Sequence, residues 1–170
     1  MFTFRRSTSV PLLFTVIILL LTAKLSPAQS SAAHFNRKAY YAAFTGNNMI
    51  AIQQQLDIIN LRLQDQKDAF EGALMMKKAE LLKGASHKLK EFKAGKEKLE
   101  HMIALHTENA EFRFLRLIIQ EKAPKILGYD KHLEENRQYL VEHFRSVPAS
   151  VQAAILDYSK SSKVLSPQDF

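Results

Sequence analysis

Six histidines, at positions 34, 87, 101, 106, 132 and 143, are the first side chains to test for chemistry. Two metal ligands on one helix need a spacing of three or four residues, so that both face the same ion. His101 and His106 are five apart, which separates them by about 140° around a helix, so they do not converge. His132 with Glu135, and Glu97 with His101, have a permissible spacing but no further ligands, and read as surface pairs. The adjacent carboxylates Glu134 and Glu135 splay apart and suit a solvated face. The chain has no Cys, which removes disulfides, thiol nucleophiles, Cys-based zinc or iron–sulfur sites and the acylated Cys of a lipoprotein. G-x-S-x-G, Walker, G-x-G-x-x-G and H-E-x-x-H patterns are all missing from the sequence. It therefore reads as a non-enzyme, with no cofactor and no metal expected.

Positive charge is the chemistry that remains. Between residues 77 and 98 there are eight lysines (77, 78, 83, 88, 90, 93, 96, 98) against Glu80, Glu91 and Glu97, a net of +5. A patch of Lys77, Lys78, Lys88, Lys90 and Lys93 could meet an anionic envelope polymer or lipid headgroups. An ordinary solvated helix surface accounts for the same run. On a helical wheel Lys90 and Lys93 point outward, while Lys88, Lys96 and Lys98 flank an apolar line from Phe92 to Leu99. The lysines lack the aromatic interleaving that stacks bases, so nucleic acid is not an expected partner. Arg113 and Arg116 interrupt FRFLRLII, a stretch apolar nearly all round. They either snorkel from a core helix or pair with Glu111 or Glu121, or else they line a groove and grip a carboxylate or phosphate. Met75-Met76 reads as core in preference to a partner-facing patch.

The elements that must carry these residues begin with an export segment. Arg5 and Arg6 precede the uncharged run Pro11 to Thr22, Lys24 closes it, and Ser26-Pro27-Ala28 presents small residues. This three-part pattern predicts a signal peptide over 1–28, cleaved after Ala28, and a periplasmic or extracellular product. The run is 12 residues long. A membrane-spanning helix needs about 20, so an uncleaved N-terminal anchor is the alternative and twin-Arg export a further one. Cleavage removes Arg5, Arg6 and Lys24, which lowers the net charge from +7 to +4. Residues 29–35 read as a flexible lead, 36–165 as a single helical domain and 166–170 as a tail.

Hydrophobic residues make up 46% of the chain, with only 5 Gly and 5 Pro, which suits a packed core and leaves little material for the turns of a β-sandwich. Helical periodicity runs almost throughout. Met49, Ile52, Leu56, Ile59 and Leu63 share a face, as do Phe70, Ala73, Leu74 and Leu81. Further faces are Phe92, Gly95, Leu99, Met102, Ile103 and His106, then Val151, Ala154, Ile155 and Tyr158. Gly46-Asn47-Asn48, Gly84-Ala85-Ser86, Asn109, Pro124, Gly128-Tyr129-Asp130 and Ser146-Val147-Pro148 fall between them as stops and caps. The expected fold is all-α, with about seven helices in antiparallel pairs joined by short loops.

Gly95, Leu99, Met102 and Thr107 have the small–large–small spacing of a repeat's second helix, and the chain resembles a degenerate tetratricopeptide-like array on those residues. Met102 stands where that family has Ala, and Thr107 where it has Pro. Phe112, Leu115 and Ile119 fit the next helix one residue out of register, and Arg116 stands where a small residue is usual. Tyr40, Tyr41, Phe44, Gly46 and Ala51 form a fainter copy. Glu71 to Lys78, Arg113 to Leu117 and Lys125 to Tyr129 also resemble an uncharacterised family of small exported helical proteins of Bacteroidota-type bacteria, a likeness that brings no activity with it. The repeat resemblance implies a protein-interaction module or adapter that holds a protein or peptide in a groove. On the Phe112 register it implies Arg113, Leu117, Gln120 and Glu121 as groove residues, and Arg116 joins Arg113 among the partner-binding residues as the pair of cations on this helix. Binding of an anionic polymer or lipid headgroups through the lysine patch is the alternative.

Overall fold

A computed structural model describes residues 35–63 and 65–170. The signal peptide expected over 1–28 and most of the lead that follows it lie outside the described residues. The described residues form seven α-helices in order: α1 (Arg37–Thr45), α2 (Met49–Arg62), α3 (Lys67–Leu81), α4 (Ala85–Leu105), α5 (Ala110–Lys122), α6 (Leu133–His143) and α7 (Ala149–Ser159). Among the described residues three single 3-10 turns lie at Lys125–Leu127, Phe144–Ser146 and Pro167–Asp169. The described residues contain no strand, so the fold is all-α as expected. No helix among them is long and apolar enough to cross a membrane.

Local chemistry sets the helix boundaries. Asn36, Asn48 and Asn109 each turn a side-chain oxygen onto free N–H groups at the starts of α1, α2 and α5. Gly84 leads into α4 at φ 83°. Two punctuation residues act differently from expectation. Gly46 ends α1 in ordinary extended backbone at φ −80°, and Asp130 accepts from the N–H of Leu133 through its backbone carbonyl while His132 occupies the cap of α6.

The tightest junction is between α3 and α4. A Cβ added to Gly72 would lie 2.5 Å from the backbone oxygen of Gly95, and one added to Gly95 would lie 2.5 Å from that of Gly72. Two helix backbones meet here because neither residue has a side chain. Lys98 bonds Asp68 and Glu71 on one side of the crossing, and Lys78 pairs with Glu91 on the other, so the two helices run in opposite directions. Phe70, Ala73, Leu74, Met76 and Leu99 fill the space around the crossing and are almost wholly buried. Met75 is half-buried and packs on the same cluster.

α5 is the central element. Ten of its thirteen residues are buried. Phe112 meets Phe70 of α3, Phe114 lies between Tyr41 of α1 and Tyr158 of α7, and Arg116 reaches Glu100 of α4 and Asn136 of α6. Phe35, at the end of the expected lead, stands edge-on to Tyr40 and Phe70 and belongs to this core. The C-terminal residues are also tied down. Arg137 of α6 bonds the carbonyl of Val164 and the carboxylate of Asp169, and the Phe170 ring lies 4.7 Å from that of Phe144.

Gly95→Ala tests the crossing. Alanine is favoured over glycine in a helix by about 1 kcal/mol, but an added methyl 2.5 Å from a carbonyl oxygen forces the helices apart. The expected outcome is a net loss of about 3 kcal/mol in urea unfolding, as in severe overpacking. A stabilised variant would show that the helices are not in contact at this point.

Candidate binding clefts

The expected partner-binding residues are not all at the surface. Arg116, Leu117 and Gln120 are 5%, 0% and 2% exposed, which corrects their assignment to a groove. The reason is the position of α5: with neighbours on nearly every side, it has no face left to line a channel. Arg116 Nη2 donates to Asn136 Oδ1 at 2.6 Å, and its Nη1 to Glu100 at 3.2 Å. Asn136 donates in turn to Gln120 Oε1 at 2.7 Å, and Tyr129 donates its hydroxyl to Glu100. Burial, then the charge of Glu100, pushes the Tyr129 phenol far above its ordinary pKa and keeps it a donor. The guanidinium is thus held inside a polar network joining α4, α5 and α6, with its Nε lacking a partner.

Arg113 is partly exposed and also engaged. It bonds Glu135 at 2.8 Å and the carbonyl of Thr107, and its guanidinium lies 4.2 Å from the centre of the Tyr139 ring. That hydrogen bond, with help from His132, holds the Glu135 carboxyl below the usual carboxylate range. Glu121 accepts from Tyr158, Ser162 and the N–H of Lys163, and so fixes the chain as it leaves α7. The carboxylates expected to pair with the two arginines are therefore used elsewhere. Glu111 takes Arg37 through three hydrogen bonds and the hydroxyl of Tyr41.

The lysine patch divides in the same way. Lys77 is only 3% exposed, since it bonds Glu80 and Asn47, and this removes it from any surface patch. Lys78 pairs with Glu91 at 3.4 Å, and Lys88 donates to the carbonyl of Glu80. Lys90 and Lys93 are exposed and form no ion pair among the described residues. Among the described residues no group of three His, Asp or Glu side chains is gathered closely enough to hold a metal ion.

Two open clefts among the described residues bear on recognition. One, of about 570 Å³, lies between the α4–α5 loop, Arg37, Gln66 and the Val147–Pro148 entry to α7. Its charged floor, Arg37 on Glu111, is already neutralised. The other, of about 710 Å³, lies between α1, the end of α5 and α7. Ala42, Ala153 and Ala154 leave room along it, Thr45, Ser150 and Ser161 add hydroxyls, and the Tyr41 and Tyr158 rings form its wall. Their hydroxyls are directed inward onto Glu111 and Glu121, so the rings present their apolar parts. Lys38 and Lys122 stand at the rim, and Lys122 Nζ lies 5.4 Å from the Tyr158 ring. Asp157, also at the rim, is occupied by Lys160 at 3.0 Å. Sequence periodicity did not single out this cleft, because its alanines at 42, 153 and 154 come from helices at opposite ends of the described chain.

An all-α fold with an internal polar network and a cleft of tyrosine rings, alanines and hydroxyls edged by lysines defines the molecule structurally. No family model, curated protein or solved structure matches the chain.

Arg116→Ala measures the network. It strips partners from Asn136, which is fully buried, and from Glu100, and the expected loss is roughly 2–3 kcal/mol in urea unfolding. An unchanged midpoint would mean that Arg116 is not held as described.

Proposed function

We propose that this chain is an exported helical interaction module that binds a peptide segment of a protein partner in the α1–α7 cleft. One observation carries the reading. The cleft combines the Tyr41 and Tyr158 rings and three alanines with the hydroxyls of Thr45, Ser150 and Ser161, and at its rim Lys38 and Lys122 form no ion pair among the described residues. Such a surface suits an extended segment with an apolar anchor and one or two carboxylates, since hydrophobic burial supplies affinity and the lysines set orientation. The tetratricopeptide-like resemblance lends further support. Gly95, its small residue, lies at a close helix crossing of the kind that such repeats use. Export rests on the pattern from Arg5 to Ala28.

A second reading keeps a specific observation of its own. Lys90 and Lys93 lie unpaired on the outer side of α4 and could meet an anionic envelope polymer or lipid headgroups.

Selection from a random peptide display library tests the first reading. Enriched sequences are expected to pair a bulky apolar residue with Asp or Glu. Ala153→Trp, at an exposed position, fills the cleft, and Lys38→Glu with Lys122→Glu reverses its rim. Each should weaken the selected peptides about tenfold or more, equivalent to at least 1.4 kcal/mol. Enrichment of unrelated sequences, or unchanged affinity in Ala153→Trp, would overturn the assignment.

A further inference from the structure

Ile126 is the most exposed large apolar side chain of the described residues, at 93%. It is held out by the architecture around it. The 3-10 turn Lys125–Leu127 is closed by hydrogen bonds from Leu127 N–H to the Pro124 carbonyl and from Gly128 N–H to the Lys125 carbonyl. Gly128 leaves it at φ 56°, a left-handed conformation that glycine tolerates. Leu127 packs on the core, and Tyr129 is 5% exposed. Ile126 thus projects from an anchored turn, which lowers the ordering cost of inserting it anywhere.

The same anchor fixes where the turn lies. The Tyr129 ring stands edge-on to Phe92 at 5.6 Å, beneath Lys96 Nζ at 5.1 Å, with its hydroxyl on Glu100. Residues 89, 93, 96 and 100 follow one line along α4. Leu89, 41% exposed, and Lys93 therefore continue the line on which Tyr129 rests, with Lys90 beside them. Lys125 and Lys131 are exposed on either side of the turn. Glu97 and Asp130 are exposed beside these lysines, while Glu134 and Glu135 at the start of α6 are paired with Arg137 and Arg113, which leaves the surface positive. The inner face of α4 is spent on the core through Phe92, Leu99, Met102 and Ile103, so any contact is made by the outer side of the molecule.

We infer that the Ile126 turn, with Lys90, Lys93 and Lys125, is a docking site for an anionic phospholipid bilayer, with Ile126 entering the headgroup–acyl boundary. This rests on the second reading above and names the bilayer as its anion. A dissolved polyanion satisfies the lysines but gains nothing from an exposed isoleucine. A bilayer offers phosphates and hydrocarbon at adjacent depths. A single projecting tip is too small for the ring of contacts that a protein interface uses to exclude water.

The chain contains no tryptophan, so Ile126→Trp places one fluorophore at the tip of the full chain. Vesicles of phosphatidylglycerol and phosphatidylcholine should shift its emission to the blue, and brominated acyl chains should quench it. Lys90→Ala with Lys93→Ala, in the same background, should weaken partitioning roughly 25-fold, at about fivefold for each lysine near an anionic surface. Pure phosphatidylcholine should leave the emission unmoved. The inference falls if the emission does not move on anionic vesicles, if pure phosphatidylcholine moves it equally, or if the lysine variants partition unchanged. Binding of polyglutamate through the lysines, with the introduced fluorophore silent on vesicles, would overturn the bilayer assignment and leave the polymer reading standing.

Discussion

The contact between Gly72 and Gly95 is the constraint on which the rest of the molecule depends. Two helix backbones approach so closely that any side chain at either position would overlap a carbonyl oxygen. Close approach brings Phe70, Met76 and Leu99 into one layer, and that layer receives Phe112 from α5. The ion pairs of Lys98 with Asp68 and Glu71, and of Lys78 with Glu91, flank the crossing and set its direction. They are partly exposed, so their contribution is to orientation more than to stability. The hydrophobic layer they enclose supplies the larger part of the free energy.

With α3 and α4 fixed, α5 enters the centre carrying three groups that water would ordinarily solvate: Glu111, Arg116 and Gln120. Burying such groups is costly unless each finds partners, and the surrounding helices provide them. Arg37 and Tyr41 meet Glu111 from α1, while Glu100 and Asn136 meet Arg116 from α4 and α6. These bonds link helices distant in sequence and give the bundle a register that apolar packing alone does not specify. The consequence for recognition is direct. Apart from Lys122 at its end, the charges on the central helix are consumed internally, and surface chemistry falls to the periphery: the α1–α7 cleft and the outer side of α4.

The helical faces were legible because burial follows the 3.6-residue period. Ile52, Leu56 and Ile59, and likewise Val151, Ile155 and Tyr158, are buried as their spacing predicts. The centrality of α5 was legible from FRFLRLII. Which charges were spent internally was not. Nothing in the spacing of Arg116 announces Glu100, sixteen residues before it, or Asn136, twenty after it. Lys77 looks like its neighbour Lys78 in the sequence, yet the rotation between adjacent helix positions carries it inward to Asn47. The cleft escaped notice for a related reason. It is made by small residues from two ends of the chain, and alanines at 42 and 153 become a feature only when α1 and α7 are adjacent.

Hydrogen exchange of the chain with and without a bound acidic–apolar peptide tests the central claim most directly. An occupied α1–α7 cleft slows exchange over residues 38–45 and 150–161 and leaves the already protected α3–α4 crossing unchanged. Slowing confined to the α4–α5 loop around His106, or no slowing in α1 and α7 at saturating peptide, would contradict the account.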